Sequence, residues 1–294
     1  MALFNASLSA GGSSVEIDGV EVDGDLKLKS SIRTLSLGTL PYGIYYGSAV
    51  VLNNEIHILG CSSSTYSKYH YKWNGSSWTS VSTLPFKFNS GSAVVLNNEI
   101  HILGAKDYNL HYKWDGSTWI SVSTPPELTP NYQAVVLNED IYIPFGGNNK
   151  IFKYSGSTNT WTTISSTFPY QNSQGSTIVY NNQIHILGGN TGSGNYYHYK
   201  WNGSTWTSVS TLPYSFYDGS VVKLNGVIHI LGGNSTATKH YKWNGSSWVS
   251  VSTLPFDFYA GSAVVLYKAI HILGGIAEPN SAYGLNVTIY NKVE

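Results

Sequence analysis

Short apolar runs separated by polar turns fill the chain from about residue 44 to its end, and they return in one fixed order. The first full set opens with GSAVVL (47–52), turns at LNNE and continues as EIHILG (55–60). HYKW (70–73) follows, then an Asn-Gly pair at 74–75 and the alternating run SWTSVS (77–82). Apolar or alternating runs of this length, rich in β-branched and aromatic residues, predict strands, and no stretch carries a helical period. Asn-Gly at 74–75, 202–203 and 244–245 and Asp-Gly at 115–116 stand between strand-like runs, the strongest short-range signal for a hairpin. Each set therefore predicts four short strands in an antiparallel meander.

The same words recur from Gly47, Gly91, Tyr132, Gly175, Gly219 and Gly261, separated by 44, 41, 43, 44 and 42 residues. A period of that size marks a repeat architecture, so 294 residues are expected to form one repeat domain over 31–294, preceded by an extension at 1–30. The extension differs in composition. It gathers Glu16, Asp18, Glu21, Asp23 and Asp25 around the alternating Val15, Ile17, Val20 and Val22, a pattern of short strands or hairpins suited to docking another protein.

Charge then narrows the partners. Only 11% of residues are charged and 14% are aromatic, so the surface is expected to be neutral and aromatic, with Ser, Thr, Asn and Gly as its polar groups. Sixteen basic residues balance sixteen acidic ones, and Arg33 is the only arginine, which leaves no basic stripe for nucleic acid. One cysteine, Cys61, precludes an intramolecular disulfide. The N-terminal residues lack the basic and apolar regions of a secretory signal, and no run approaches a membrane span, so neither export nor membrane insertion is expected.

Double glycines after the second strand (Gly146-Gly147, Gly188-Gly189, Gly232-Gly233, Gly274-Gly275) and a late tryptophan (Trp78, Trp119, Trp161, Trp206, Trp248) resemble kelch repeats. The third unit is closest to that pattern, with Gly146-Gly147, Tyr154 and Trp161, whereas the first two units carry Gly60-Cys61 and Gly104-Ala105. The resemblance implies an all-β, six-bladed β-propeller of four-stranded antiparallel blades around a channel. The last unit stops before a fourth strand. TLSLGTLP (34–41) matches WTSVSTLP (78–85), so a strand at about 31–38 is expected to complete the last blade and close the ring.

Candidate chemistry is mostly absorbed by the repeat. His57, His101, His185, His229 and His271 share one position in the unit, and His70, His111, His198 and His240 share another. One equivalent site per blade spreads these rings apart instead of converging them on an ion, so they are expected to hydrogen-bond across strands. The late tryptophans are expected to be core. A copper site of the galactose-oxidase kind needs two non-equivalent histidine ligands. A kelch-type sialic-acid epimerase needs cations for the sugar carboxylate, and the repeats contain no arginine. No catalytic set, metal site or cofactor is expected.

The differences between units point to one face. In an antiparallel meander the connections after the second and fourth strands share a face, and here those loops differ in length and content while the opposite turns are nearly identical. The ring directly after proline (Tyr42, Phe86, Tyr170, Tyr214, Phe256) is regular enough to be packing. The less regular Tyr45, Tyr46, Phe88, Tyr132, Phe216, Tyr217, Phe258 and Tyr259 are ligand candidates. Tyr46, Ser90, Asn131, Gln174, Asp218 and Ala260, just before the first strands, are expected to ring the channel mouth, with Asn131, Gln174 and Asp218 as polar partners. Aromatic faces beside amides, hydroxyls and a carboxylate suit sugars.

These features predict a non-enzymatic recognition module that binds a host-surface glycan or a partner protein. The WNGSSW-rich units are similar to kelch proteins of phage tail modules from Gram-positive hosts. That resemblance implies a tail-fibre or baseplate protein of the virion, with residues 1–30 docking to other structural proteins. A cytoplasmic kelch scaffold is the alternative and a sugar-modifying enzyme the third.

Overall fold

A computed structural model describes residues 15–17, 20–22, 32–61, 67–105, 108–127, 132–146, 150–165, 174–189, 196–233, 238–254, 256–275 and 286–292. Three strands precede the repeats: β1 (Val15–Ile17), β2 (Val20–Val22) and β3 (Ile32–Thr39). β1 and β2 pair antiparallel, with Val15 opposite Val22, as the alternation around Asp18-Gly19 predicts. The acidic residues Asp18, Asp23 and Asp25 lie outside the described residues.

The repeats fold as propeller blades. The first is β4 (Ser48–Leu52), β5 (Glu55–Leu59), β6 (Tyr69–Trp73) and β7 (Trp78–Thr83). The second is β8 (Ser92–Leu96), β9 (Glu99–Ala105), β10 (Tyr108–Trp114) and β11 (Trp119–Ser121). The third is β12 (Val135–Leu137), β13 (Asp140–Gly146), β14 (Lys150–Ser155) and β15 (Thr160–Ser165). The fourth is β16 (Ser176–Tyr180), β17 (Gln183–Leu187), β18 (Tyr197–Trp201) and β19 (Trp206–Thr211). The fifth is β20 (Ser220–Leu224), β21 (Val227–Leu231), β22 (Lys239–Trp243) and β23 (Trp248–Thr253). Last come β24 (Ser262–Leu266), β25 (Ala269–Leu273) and β26 (Asn286–Lys292).

Each blade runs antiparallel in chain order. Among the described residues there are five self-contained blades, one fewer than the six-bladed ring expected. The remaining four-stranded sheet is composite, in the order β24-β25-β26-β3, with Tyr290 opposite Thr34. The first strands β4, β8, β12, β16, β20 and β24 neighbour one another in a closed circuit around the channel.

The turns follow from their residues. Asn53 and Asn54 both take left-handed backbone (φ 50° and 62°), the geometry that a two-residue hairpin with the right twist requires. At the other hairpin Asn74 Oδ1 accepts from the backbone N–H of Ser76 (3.0 Å) and Ser77 (3.1 Å), and Asn202 and Asn244 repeat this. The hydroxyl of Ser76 also donates to Asn74 Oδ1 (2.9 Å), as Ser204 and Ser246 do in their units, so the Asx turn accounts for a motif that reads Asn-Gly-Ser.

The core lies between blades. One cluster joins Val50, Leu52 and Leu59 of the first blade to Ile100, Ile102 and Trp114 of the second, with Leu84, Phe86 and Phe88 of the linking loop between them. Burial of each such side chain contributes about 2 kcal/mol. The tryptophans divide differently from expectation. Trp73, Trp114, Trp201 and Trp243 are the buried ones, while Trp78, Trp119, Trp161, Trp206 and Trp248 are half-buried. Each pair faces across its hairpin, as Trp73 does Trp78, so the ring ending the third strand takes the deeper place between sheets.

The paired glycines explain how blades join. At Gly188 (φ +64°) a Cβ would lie 1.8 Å from the Phe216 carbonyl oxygen of the next loop, and Gly189 N–H donates to that same oxygen at 2.8 Å. Gly232-Gly233 grips the Phe258 carbonyl and Gly274-Gly275 the Ile44 carbonyl in the same way. Only a residue without Cβ permits so close an approach in left-handed backbone.

Candidate functional site at the channel mouth

The loops that enter the first strands converge on one end of the channel. Their last residues, Tyr46, Ser90, Gln174, Asp218 and Ala260, all have left-handed backbone, with φ between 53° and 62°. This conformation turns each peptide across the blade boundary. Tyr46 N–H donates to Ala260 O (2.8 Å), Ser90 N–H to Tyr46 O (2.8 Å), Asp218 N–H to Gln174 O (3.0 Å) and Ala260 N–H to Asp218 O (2.7 Å). An arc of main-chain hydrogen bonds thus links consecutive loops around the mouth; residue 131 lies outside the described residues.

Beneath it runs a ring of hydroxyls that the sequence reading missed. Ser48 Oγ donates to Gly91 O (3.4 Å), Ser176 Oγ to Gly219 O (2.9 Å) and Ser220 Oγ to Gly261 O (3.3 Å). The Ala49 N–H donates to Ser262 Oγ and the Ala134 N–H to Ser92 Oγ. In the third unit Gln133 replaces serine and its Oε1 accepts from Thr177 N–H at 3.2 Å. The signal was available: a serine returns directly before the apolar core of the first strand in every other unit.

These layers enclose a cavity of about 230 Å³ whose lining includes Tyr46, Tyr132, Gln174, Asp218 and Ala260. Asp218 supplies its carboxylate. Oδ2 accepts from Gln174 Nε2 at 2.8 Å and from Tyr46 Oη at 3.4 Å, whereas Oδ1 accepts no hydrogen bond among the described residues. Burial pushes the Asp218 carboxyl up to about 6, against the Tyr46 hydrogen bond that favours its charged form. Burial, then the negative charge of Asp218, holds the Tyr46 phenol well above its ordinary value. The Tyr45 ring packs on Tyr46 with centroids 4.4 Å apart, and the Tyr259 phenol is raised by burial, by Tyr45 and by Asp218. The opposite end of the channel is apolar, lined by Val51, Val95, Val136, Val222 and Val265 with Lys223 among them.

Comparison with known proteins agrees with this architecture. The sequence pattern of the DUF6242 beta propeller domain matches residues 45–281, most of the chain. The chain belongs to that family. A solved structure described as that of YjhT aligns with a TM-score of 0.73 over 86% of this chain and 99% of its own. Its sequence identity is 14%, so the likeness shows the fold alone. No curated protein matches the chain.

This DUF6242 propeller sorts the sequence-predicted ligand residues into two groups. Tyr45, Tyr46, Gln174, Tyr217, Asp218 and Tyr259 lie half-buried on the mouth-side loops. Phe88, Phe216 and Phe258 do not belong with them: each is 0% exposed and sits in the core between blades. The reason is the glycine three residues on. A Cβ at Gly219 would lie 2.3 Å from the Phe216 ring, and Gly91 and Gly261 lie under Phe88 and Phe258 likewise. Tyr132 occupies the glycine position of the third unit and is 3% exposed, so its ring packs with Leu103 and Phe152 while still lining the cavity. Its hydroxyl has no hydrogen-bond partner among the described residues. Asn131 lies outside the described residues, as do most residues of the variable loops after the second strands. Of the regular post-proline rings, Tyr42, Phe86 and Tyr214 are buried as predicted packing residues.

The histidines of the DUF6242 propeller form buried pairs inside blades. Nδ1 of His57 meets Nε2 of His70 at 2.8 Å, and His101–His111, His185–His198 and His229–His240 repeat the contact at the same distance. A β-bulge after His70 places Ser82 where its hydroxyl meets His70 Nδ1 at 2.9 Å, and Trp119 Nε1 of the next blade donates to that hydroxyl at 2.9 Å. These contacts tie strand to strand and blade to blade. Cys61 is buried beside Leu40 and Tyr42.

Proposed function

We propose that the protein is a non-enzymatic recognition module whose mouth-side face binds a surface glycan or a partner protein. One observation carries this reading: a cavity at the channel mouth holds a half-buried carboxylate and amide from different blades beside half-buried tyrosines, on the face where the loops differ. Rigid scaffolds that vary only in their loops on one face commonly bind there. Tyrosine rings cover the apolar face of a pyranose while amide and carboxylate fix its hydroxyls. The rest of the reading follows from the sequence resemblance. The ring closes as a six-bladed kelch-type propeller over 31–294, with the composite sheet as its sixth blade, and residues 1–30 dock it to a virion as part of a phage tail fibre or baseplate.

The test is a glycan array run with the protein and with Tyr46→Ala, Tyr217→Ala and Tyr259→Ala. Binding to host cell-wall glycans that weakens roughly tenfold or more in at least two variants supports the reading. Binding to none, or binding untouched by all three changes, refutes it.

A further inference from the structure

We infer that the channel mouth takes the protonated amine of an amino sugar, seated against the Asp218 carboxylate and the rings of Tyr45, Tyr46 and Tyr259. The inference rests on the recognition reading above and names the ligand class within it. The chemistry is set by what faces the cavity. Asp218 is the one charged side chain among the described lining residues, with no lysine or arginine beside it, so an anionic ligand meets repulsion. Asp257, two residues before Tyr259 and interacting with its phenol, adds a second negative group nearby.

A neutral hydroxyl could use Gln174, but it leaves the carboxylate without a counter-charge in a setting that disfavours ionisation. Asp218 has already engaged Oδ2 with Gln174 and Tyr46 while Oδ1 accepts nothing among the described residues. An ammonium offers three donors and a positive charge to that oxygen, and charge-assisted bonds of this type are the strong ones. Tyr46, which lines the cavity, and Tyr45 packed on it place aromatic rings close to the carboxylate, surroundings that favour a cation. A metal ion is less well served, because no group of three metal-ligating side chains converges among the described residues. The surrounding hydroxyls and the amide of Gln174 suit the ring hydroxyls of a sugar, and the 230 Å³ space holds about one residue of a chain.

Acidity supplies an independent check. Besides Gln174, Asp218 interacts with the phenols of Tyr46 and Tyr259, and behind them Tyr45 lies beside Tyr46 and Asp257 beside Tyr259. The raised phenols of Tyr46 and Tyr259 stay neutral through the acidic range, so Asp218, raised to about 6, governs the charge at the cavity. Its ionised form, the one that binds an ammonium, is lost as the pH falls through that value, while the amine itself becomes more fully protonated.

The experiment is titration calorimetry with a glucosamine tetramer, its fully N-acetylated counterpart and a lysine tetrapeptide, at pH 7 and pH 5. At pH 7 the free-amine oligomer is expected to bind at least about tenfold more tightly than the acetylated one, a preference that Asp218→Asn removes. The preference is also expected to disappear at pH 5 in the unaltered protein. Equal binding of both oligomers, still sensitive to Tyr46→Ala, overturns the amine inference and leaves the recognition reading standing. Tighter binding of the lysine peptide than of the glucosamine oligomer overturns the sugar source. Failure of every array glycan and all three probes refutes both. Should Asp218→Asn not fold, as judged by near-ultraviolet circular dichroism, Gln174→Ala and the pH comparison decide.

Discussion

At the scale of single residues, the positions that matter most are those where one blade's main chain touches the next. Gly188 meets the Phe216 carbonyl in left-handed backbone, whereas Gly203, with φ +104°, meets nothing within 4 Å. Gly188→Ala is therefore expected to cost at least ~4 kcal/mol, because a backbone oxygen must move as well as a dihedral. Gly203→Ala is expected to cost only ~1–2 kcal/mol. Urea denaturation of the two variants measures the difference, and equal costs would remove the latch from the account of the fold. The same scale shows what the sequence concealed. Phe88, Phe216 and Phe258 read as ligand rings because they stand irregularly after proline, yet their burial is decided by a glycine three residues later. Tyr46 and Asp218 kept their predicted place because the left-handed turn before the first strand fixes it.

At the scale of the strand, the blades and their order were legible, and their bulges were not. Alternation and Asn-Gly turns were enough to place the strands of the first blade, since local pattern and hairpin chemistry agree there. The histidine pairing was expected only in kind. Its partners depend on a register shift between His70 and Tyr71 that brings in Ser82, and no local pattern announces a bulge. The pairs carry a consequence for acid stability. Burial lowers His57 to about 4 against the opposing charge of Glu55, and, joined by the partner histidine or a neighbouring lysine, lowers His70 to about 3, His185 to about 4 and His198 to about 3, so all are neutral in the fold near pH 7. A folded value below the ordinary 6.5 gives stability that is complete above pH 6.5 and lost as the pH falls towards 4. Each histidine is expected to contribute a loss of roughly 3 kcal/mol over that window, so each pair loses about 6 kcal/mol. Chemical denaturation between pH 7 and pH 4.5 measures it, and replacing His185 and His198 together should flatten the slope. An unchanged midpoint across the range contradicts it.

At the scale of the whole molecule, closure is the governing feature. The strand that completes the last sheet comes from the opposite end of the chain, so β3 and β26 together hold the ring shut. Removing residues 1–39 is expected to leave β26 as an open edge, lowering the melting temperature and causing self-association detectable by light scattering. A shortened chain that stays monomeric and equally stable would show that the ring does not depend on this strand. The match of 34–41 to 78–85 made closure readable, because it marks a fourth-strand sequence standing ahead of the first repeat.

The arc of left-handed residues around the mouth has a further meaning. Its hydrogen bonds use only main-chain atoms, so the five described positions carry phenol, hydroxyl, amide, carboxylate and methyl on one invariant frame. Ligand preference and fold are thereby uncoupled: a substitution there rewrites the chemistry offered to a visitor while the scaffold keeps its shape. The mouth behaves as a dial of interchangeable letters, and a library varied at Tyr46, Ser90, Gln174, Asp218 and Ala260 alone should yield folded proteins with new preferences.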